Sequence, residues 1–193
     1  VRLGALHRRT NTGLSAQAKP RADGLGQWVT EENRINEAKS AVSSALGRKF
    51  LGYELWVAKD REVKCAVAHK ALDNFKARIR QLTRRSGGRS MEEVVDKLRP
   101  YLHGWKAYFG LAQTPGVWRE LDEWLRHRLR AIQLRHWKRS RTIYRELKAL
   151  GACDDVANQV AGNCHRWWRN SNGVIRRVLT IAYFDWLGVP RLS

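Results

Sequence analysis

The amino-acid sequence predicts a mostly α-helical protein in which a β-hairpin precedes a bundle of helices. Two patterns predict this class. Residues 49–67 are rich in aromatic and β-branched residues and alternate between an apolar face and a mixed face, as strands do. Each later segment carries its apolar residues at helical spacing instead. A length of 193 residues, 43% of them hydrophobic, is enough to bury a core, and no apolar run reaches the roughly 18 residues of a membrane span.

The first part of the chain supplies the hairpin and the segments before it. Residues 1–27 contain several glycines and no sustained periodicity, so we expect them to be poorly ordered. A helix is predicted from Trp28 to Ala45, because Thr30 is followed by two glutamates in the first turn. In the hairpin, one face of the two arms is expected to carry Leu51, Tyr53, Leu55 and Val57 together with Val63, Cys65 and Val67.

Helix-start and helix-stop signals divide the rest of the chain. Ser90 and Glu93 have the spacing of a capping box, and the helix that they open is expected to kink or restart at Pro100, because proline removes an amide donor. Thr114 followed by Pro115 predicts a long helix that runs to about residue 139. An earlier helix is expected to carry the apolar stripe Leu72, Phe75, Ile79 and Leu82. After the long helix, Ser140 is expected to cap a helix that stops at Gly151, and Asp154 or Asp155 to start a short one. One last helix is expected between Gly173 and Gly188.

The charge of the chain points to an anionic partner. Lys and Arg number 37 against 18 Asp and Glu, which gives a formal net charge of +19. An excess of this size favours a polyanion such as a nucleic acid, since phosphate contacts release counterions. An acidic protein or a membrane surface is the alternative. The excess is densest between Arg126 and Arg145, where eight Lys or Arg residues occur without one acid.

On a helical wheel, the long helix after Pro115 has an apolar arc that faces the core and a basic side that contains Arg119, Arg126 and Arg130. Cations late in a helix suit the helix dipole, and Asp122 is spaced to pair with Arg126, but this explains only part of the charge. The candidate nucleic-acid-binding residues are Arg119, Arg126, Arg130, Arg135, Trp137, Lys138 and Arg139, with Arg99 and Lys106 behind them.

The tryptophans divide between the core and candidate contacts with bases. Trp105, Trp118 and Trp124 recur at helical spacing, so they are expected in the core. Trp167 and Trp168 lie between two arginines and are candidates for stacking on unpaired bases, as is Trp137, although packing explains these three equally well.

The three cysteines match neither a disulfide framework nor a metal site. Cys65, Cys153 and Cys164 are odd in number, which favours a reducing compartment. Cys164, His165 and Cys153 provide too few ligands in close pairs for structural zinc. We therefore predict no metal and no cofactor in this chain.

Three stretches carry a recognisable family pattern: "INEAKSAV…RKFLGYEL", "VDKLRPYLHGWKAYFGLAQTPGVWRELDEWLRHRLR" and "HRWWRNSNGVIRRVLTIAYFDWLGVPRL". Together they resemble the carboxy-terminal part of bacterial group II intron-encoded reverse transcriptase/maturases. The first stretch resembles the last block of the polymerase region, and the other two resemble the thumb, also called domain X or the maturase domain.

This resemblance implies a domain organisation and a partner. Residues 28–68 would be a remnant of the polymerase palm and residues 69–193 a helical thumb/maturase domain, whereas residues 1–27 match neither. The hairpin would lie near the primer, and the Pro115 helix would face the duplex. The implied partner is group II intron RNA, with RNA template and DNA primer for the full-length enzyme, in the bacterial cytoplasm and without a membrane.

The catalytic turn of that family, Tyr-x-Asp-Asp, is absent from the sequence. The full-length enzymes use it to bind magnesium, whereas the Asp154-Asp155 pair here follows Ala152-Cys153. We therefore assign no catalytic residue. Three interpretations follow: an RNA-binding maturase fragment that assists splicing, a portion of an active RNA-directed DNA polymerase whose palm lies elsewhere, or a truncated or frame-shifted remnant with generic nucleic-acid affinity.

Overall fold

A computed structural model describes residues 44–59, 61–84 and 87–193. The expected disorder of residues 1–27 lies outside the described residues. So does the helix predicted from residue 28 onward, except for its last two positions, Ser44 and Ala45, which are not helical.

A small antiparallel sheet comes first in the described part of the chain. Its strands are β1 (Lys49–Phe50), β2 (Tyr53–Val57) and β3 (Val63–Val67), in the order β1-β2-β3. Tyr53 pairs with Val67 and Val57 with Val63, which confirms the predicted hairpin and its shared face, except that Leu51 lies in a turn and is exposed. The first arm is not one strand, however, because Leu51 and Gly52 adopt φ of 49° and 81° and turn β1 back onto β2. Two successive positive φ values are the geometry of a tight hairpin turn.

The rest of the described chain is helical, which confirms a mostly α fold with the sheet in front of it. Two short 3₁₀ turns, Cys164–Arg166 and Val174–Arg177, separate the later helices. The helices are α1 (His69–Leu82), α2 (Met91–Tyr108), α3 (Pro115–Trp137), α4 (Ser140–Ala149), α5 (Asp154–Gly162), α6 (Trp167–Asn170) and α7 (Ile181–Trp186).

Several helix boundaries follow the local signals. The capping box is confirmed: the Glu93 amide donates to Ser90 Oγ at 3.2 Å, and the Ser90 amide donates to Glu93 Oε2 at 3.0 Å. The α2 helix continues through Pro100 and does not restart there. Pro115 occupies the first turn of α3 as predicted, but the hydroxyl of Thr114 makes no capping bond.

Two predicted boundaries are wrong. Ser140 is the first residue of α4 and not its cap, a position that Arg139 takes. The single last helix is divided into a 3₁₀ turn and α7, because Thr180 interrupts it. The Thr180 hydroxyl accepts from the Tyr183 amide at 3.3 Å and so caps α7.

The core lies around α2 and α3. Leu98, Leu102, Leu125 and Leu129 are fully buried there. Trp105 and Trp118 are buried as predicted, with 5.2 Å between ring centroids in an edge-to-face arrangement. None of the helices in the described ranges is long and apolar enough to cross a bilayer.

Candidate nucleic-acid interface

Arg126 and Arg130, at the centre of the predicted basic side, are 2% and 4% exposed. The prediction that they lie on an open side of α3 is therefore wrong. A helical wheel considers α3 alone, whereas residues 179–193, here called the C-terminal segment, lie across this side of the helix. The two arginines bind the protein's own carboxylates and carbonyls in place of solvent.

Arg126 belongs to a buried ion-pair network. Its Nη1 lies 2.9 Å from Asp122 Oδ1, and its Nη2 lies 3.5 Å from Asp185 Oδ1. Asp122 also accepts from the amides of Leu192 and Ser193, at 3.1 and 2.9 Å, and from Ser193 Oγ at 2.7 Å. A buried carboxylate needs such donors to offset its lost hydration. This network holds the end of the C-terminal segment against α3.

Arg130 is buried without a carboxylate of its own. Its Nε donates to the carbonyl of Leu179 at 2.9 Å, and its guanidinium lies 5.8 Å from the centroid of the Phe184 ring. Nη1 has no hydrogen-bond partner in the described ranges. Desolvation is the main cause that lowers the pKa of Arg130 to about 10, with Arg176 and Arg126 contributing. At neutral pH the group therefore remains a cation.

Arg99 and Lys106 also hold the C-terminal segment, although both are exposed. Arg99 Nε donates to the carbonyl of Gly188 at 3.1 Å, and its Nη1 lies 3.5 Å from Asp96 Oδ1. Lys106 Nζ donates to the carbonyl of Arg191 at 3.0 Å. The structure thus gives these two candidates a defined packing partner.

The other basic candidates lie at the two ends of α3, and they are exposed. Arg119 is in the second turn. At the other end, four exposed cations make no ion pair with a carboxylate of the described chain. We call these four residues the basic junction, since they run from the last turn of α3, through the two connecting residues, to the first turn of α4: Arg135, Lys138, Arg139 and Arg141.

The backbone of the basic junction is strained. Lys138 has φ 56° and ψ −56°, and the Arg139 amide donates to the carbonyl of Trp137 at 2.6 Å. This is the γ-turn of positive φ, a rare conformation for a residue with a side chain. Strained residues of this kind concentrate at functional sites.

An open cleft of about 750 Å³ begins beside the basic junction. Three separate parts of the chain form it: the start of α2, the last turns of α3, and α7 with the residue after it. We call it the α2–α3–α7 cleft, and its walls consist of Gly88, Arg89, Ser90, Met91, Glu92, Gln133, Arg135, His136, Tyr183 and Leu187. Sequence reasoning missed most of these residues, because no local signal links the three parts.

The candidate stacking residues have partners within the protein. Trp137 is half-buried and packs against the core. Trp168 stacks on His127, with 3.9 Å between ring centroids, and its carbonyl lies 3.0 Å from His127 Nε2. Trp167 meets Trp168 edge to face at 5.7 Å. Trp168 remains 40% exposed, so part of its ring faces solvent.

Trp124 was predicted in the core but is only half-buried. The guanidinium groups of Arg80 and Arg128 lie 5.6 and 5.4 Å from its ring centroid. Arg128 is fixed there because its Nε donates to Thr83 Oγ1 at 2.8 Å. This arrangement joins the end of α1 to α3. It also gives partners within the protein to arginines that had been counted toward an anionic partner.

The Asp154-Asp155 pair starts α5. Asp154 Oδ1 accepts from the hydroxyl of Tyr144 at 2.6 Å and lies 3.2 Å from Lys148 Nζ. Across residues 44–59, 61–84 and 87–193, no three His, Cys, Asp or Glu side chains lie together as a metal-binding group. Cys65, Cys153 and Cys164 are all free thiols.

Comparison with known protein families gives a match within this region. Residues 72–151 match the family model described as "Group II intron, maturase-specific domain". The matched range includes α2, α3, α4 and the basic junction. A search of the curated proteins found no match.

Proposed function

We propose that the chain binds structured group II intron RNA and assists its splicing, because residues 72–151 match the family model described as "Group II intron, maturase-specific domain". The observation that carries the proposal is the basic junction. It lies within the matched range, and Arg135, Lys138, Arg139 and Arg141 are exposed without an acidic partner in the described chain. Four like charges in seven residues repel one another, and an anionic partner offsets that cost.

Phosphate groups are the natural partners of the basic junction. Arginine binds phosphate through two parallel N–H groups, and each phosphate contact releases condensed counterions. Such contacts position a protein on RNA but carry little sequence information. Selectivity for the intron would then come from the shape of the folded RNA, which sets where its phosphates lie.

A binding measurement tests this proposal. The full chain is titrated against labelled, folded intron RNA and against an unstructured RNA of equal length at the same salt concentration. We expect tighter binding to the folded RNA. Equal affinity for the two RNAs would instead indicate the generic nucleic-acid binding of a decayed remnant.

The same assay identifies the surface that binds. The double variant Arg135→Ala/Arg139→Ala should weaken binding and reduce the slope of log K against log salt by roughly one to two units. The matched control is Lys70→Ala/Arg78→Ala, which removes two exposed charges from α1. An unchanged slope in the first variant would exclude the basic junction as the phosphate-binding surface.

Primer extension separates binding from catalysis. We expect no extension when the full chain is mixed with RNA template, DNA primer, nucleotides and magnesium, because the chain lacks the Tyr-x-Asp-Asp turn. Addition of even one nucleotide would show that the chain is part of an active polymerase.

A further inference from the structure

The α2–α3–α7 cleft combines three kinds of group. Arg89, Arg135 and His136 supply cationic or hydrogen-bond-donating side chains. Glu92 and Gln133 supply acceptors, and Gln133 Oε1 is buried without a hydrogen-bond partner in the described chain. A buried acceptor that lacks a donor is costly, so it marks a position where a ligand donor would be favourable.

The third kind of group is aromatic. Tyr183 forms part of the wall of the cleft, and Trp186 lies next to it, with 6.4 Å between the two ring centroids. Trp186 is 81% exposed, an unusual position for the largest apolar side chain. Its ring therefore offers an exposed stacking surface beside Tyr183, although Trp186 is not itself part of the cleft wall.

From this combination we propose that the α2–α3–α7 cleft binds one unstacked nucleotide of an RNA strand. The inference rests on the proposed RNA binding and deepens it, since it names the part of the RNA that enters the cleft. The base stacks on Trp186, the donors of its edge or of the 2′-hydroxyl meet Gln133, and the phosphate meets Arg135. The volume of about 750 Å³ lies within the usual range of about 300–1,000 Å³ for small-ligand sites.

The mixture of acceptors and cations favours a nucleotide over a simple anion. An inorganic anion would gain from Arg89 and Arg135, as a nucleotide phosphate would, but it would bring no donor for Gln133 and no ring to stack on Trp186. A paired base is excluded as well, because its hydrogen-bonding edge and both of its faces are occupied within the duplex. Only an unpaired nucleotide presents a face, an edge and a phosphate together.

The test compares two labelled RNA duplexes with the same paired sequence, one of which carries a single bulged nucleotide. The full chain is titrated with each duplex at the same salt concentration, by fluorescence anisotropy. We expect about tenfold tighter binding to the bulged duplex, the size of effect that one stacked base gives. Trp186→Ala should abolish this preference and leave the affinity for the fully paired duplex within about twofold.

Two further variants make the result specific. Gln133→Met removes the buried acceptor at similar volume and should reduce the preference for the bulge several-fold. Trp56→Ala is the matched control, because Trp56 is also an exposed tryptophan but lies on β2. The control should keep the full preference.

The outcomes separate this inference from the function on which it rests. Equal binding of the two duplexes by the wild-type chain would overturn the nucleotide site and leave RNA binding intact. A preference that survives in both Trp186→Ala and Gln133→Met would also overturn it. Binding of neither duplex, nor of the intron RNA, would overturn the site together with the proposed function.

Discussion

Replacing Arg126 and Arg130 in turn gives the sharpest test of whether the buried charges of α3 stabilise the fold or bind RNA. The two residues are one turn apart on the same helix, and both are buried. Arg126 has two carboxylate partners, Asp122 and Asp185, whereas Arg130 has only a carbonyl partner; within the described residues each also keeps one unpaired nitrogen, Nε of Arg126 and Nη1 of Arg130. Replacement by methionine keeps most of the side-chain volume and removes the charge, so Arg126→Met and Arg130→Met form a matched pair.

The expected losses of stability differ in size. Arg126→Met leaves the buried carboxylate of Asp122 without its counter-ion, and such a loss costs about 3–5 kcal/mol. We expect about 3 kcal/mol, because Asp122 keeps its donors from Leu192 and Ser193. Arg130→Met removes a hydrogen bond but also relieves an unpaired buried cation. Its free energy of unfolding should therefore stay within about 1 kcal/mol of the wild-type value.

Urea unfolding followed by circular dichroism measures both differences. Domains of this kind have about 5–15 kcal/mol of stability in total, so a loss of about 3 kcal/mol is easily resolved. Both variants should keep the wild-type salt dependence of RNA binding wherever they are folded. If Arg126→Met were as stable as the wild type but bound RNA more weakly, the assignment of Arg126 to a buried ion pair would be refuted.

Three further predictions concern the ends of α3 and the C-terminal segment. Lys138→Gly should be about 1 kcal/mol more stable than Lys138→Ala in thermal unfolding, since only glycine adopts a positive φ without strain; equal stabilities would contradict the γ-turn. The hydrogen bond from Arg191 lowers the pKa of Asp185 below its unfolded value of about 3.9, so its contribution to stability is present above that pH and lost as the pH falls further. The stability difference between the wild type and Asp185→Asn should accordingly shrink from pH 5 to pH 3, and a constant difference would exclude this contribution. Gly188→Ala should lower stability by about 1–2 kcal/mol, because Gly188 has φ +86° and its new Cβ would also displace the Arg99 guanidinium; an unchanged melting temperature would contradict the positive φ at this turn.

The features that the sequence predicts well are those that depend on residues close together in the chain. The capping box of α2 needs only Ser90 and Glu93, and it forms with both expected bonds. The hairpin follows from alternation over about twenty residues, and its register matches the alternation of β2 and β3. The burial of Trp105 and Trp118 follows in the same way, from helical period alone.

The features that it does not predict depend on residues far apart. The carbonyl that binds Arg130 belongs to Leu179, 49 positions later, and no spacing rule connects them. The α2–α3–α7 cleft likewise needs Arg89, Gln133 and Tyr183, which come from three separate parts of the chain. The division of the last predicted helix at Thr180 had a local signal, since threonine is a common N-cap, but continuous apolar spacing concealed it.

An acid at helical spacing accompanies burial at Arg126, but this rule fails at Arg119, which has Asp122 and Glu123 three and four residues later and is exposed. Arg126 follows Asp122 by four residues, the spacing of an intrahelical ion pair, and that pair is what the C-terminal segment covers. Arg135, Lys138 and Arg139 have no acid within four residues on either side, and all three are exposed. Arg130 shows the limit of the rule, because it lacks an acid neighbour and is nevertheless buried. The acid-free run therefore contains buried and exposed cations, and the proposed phosphate contacts involve only the exposed ones.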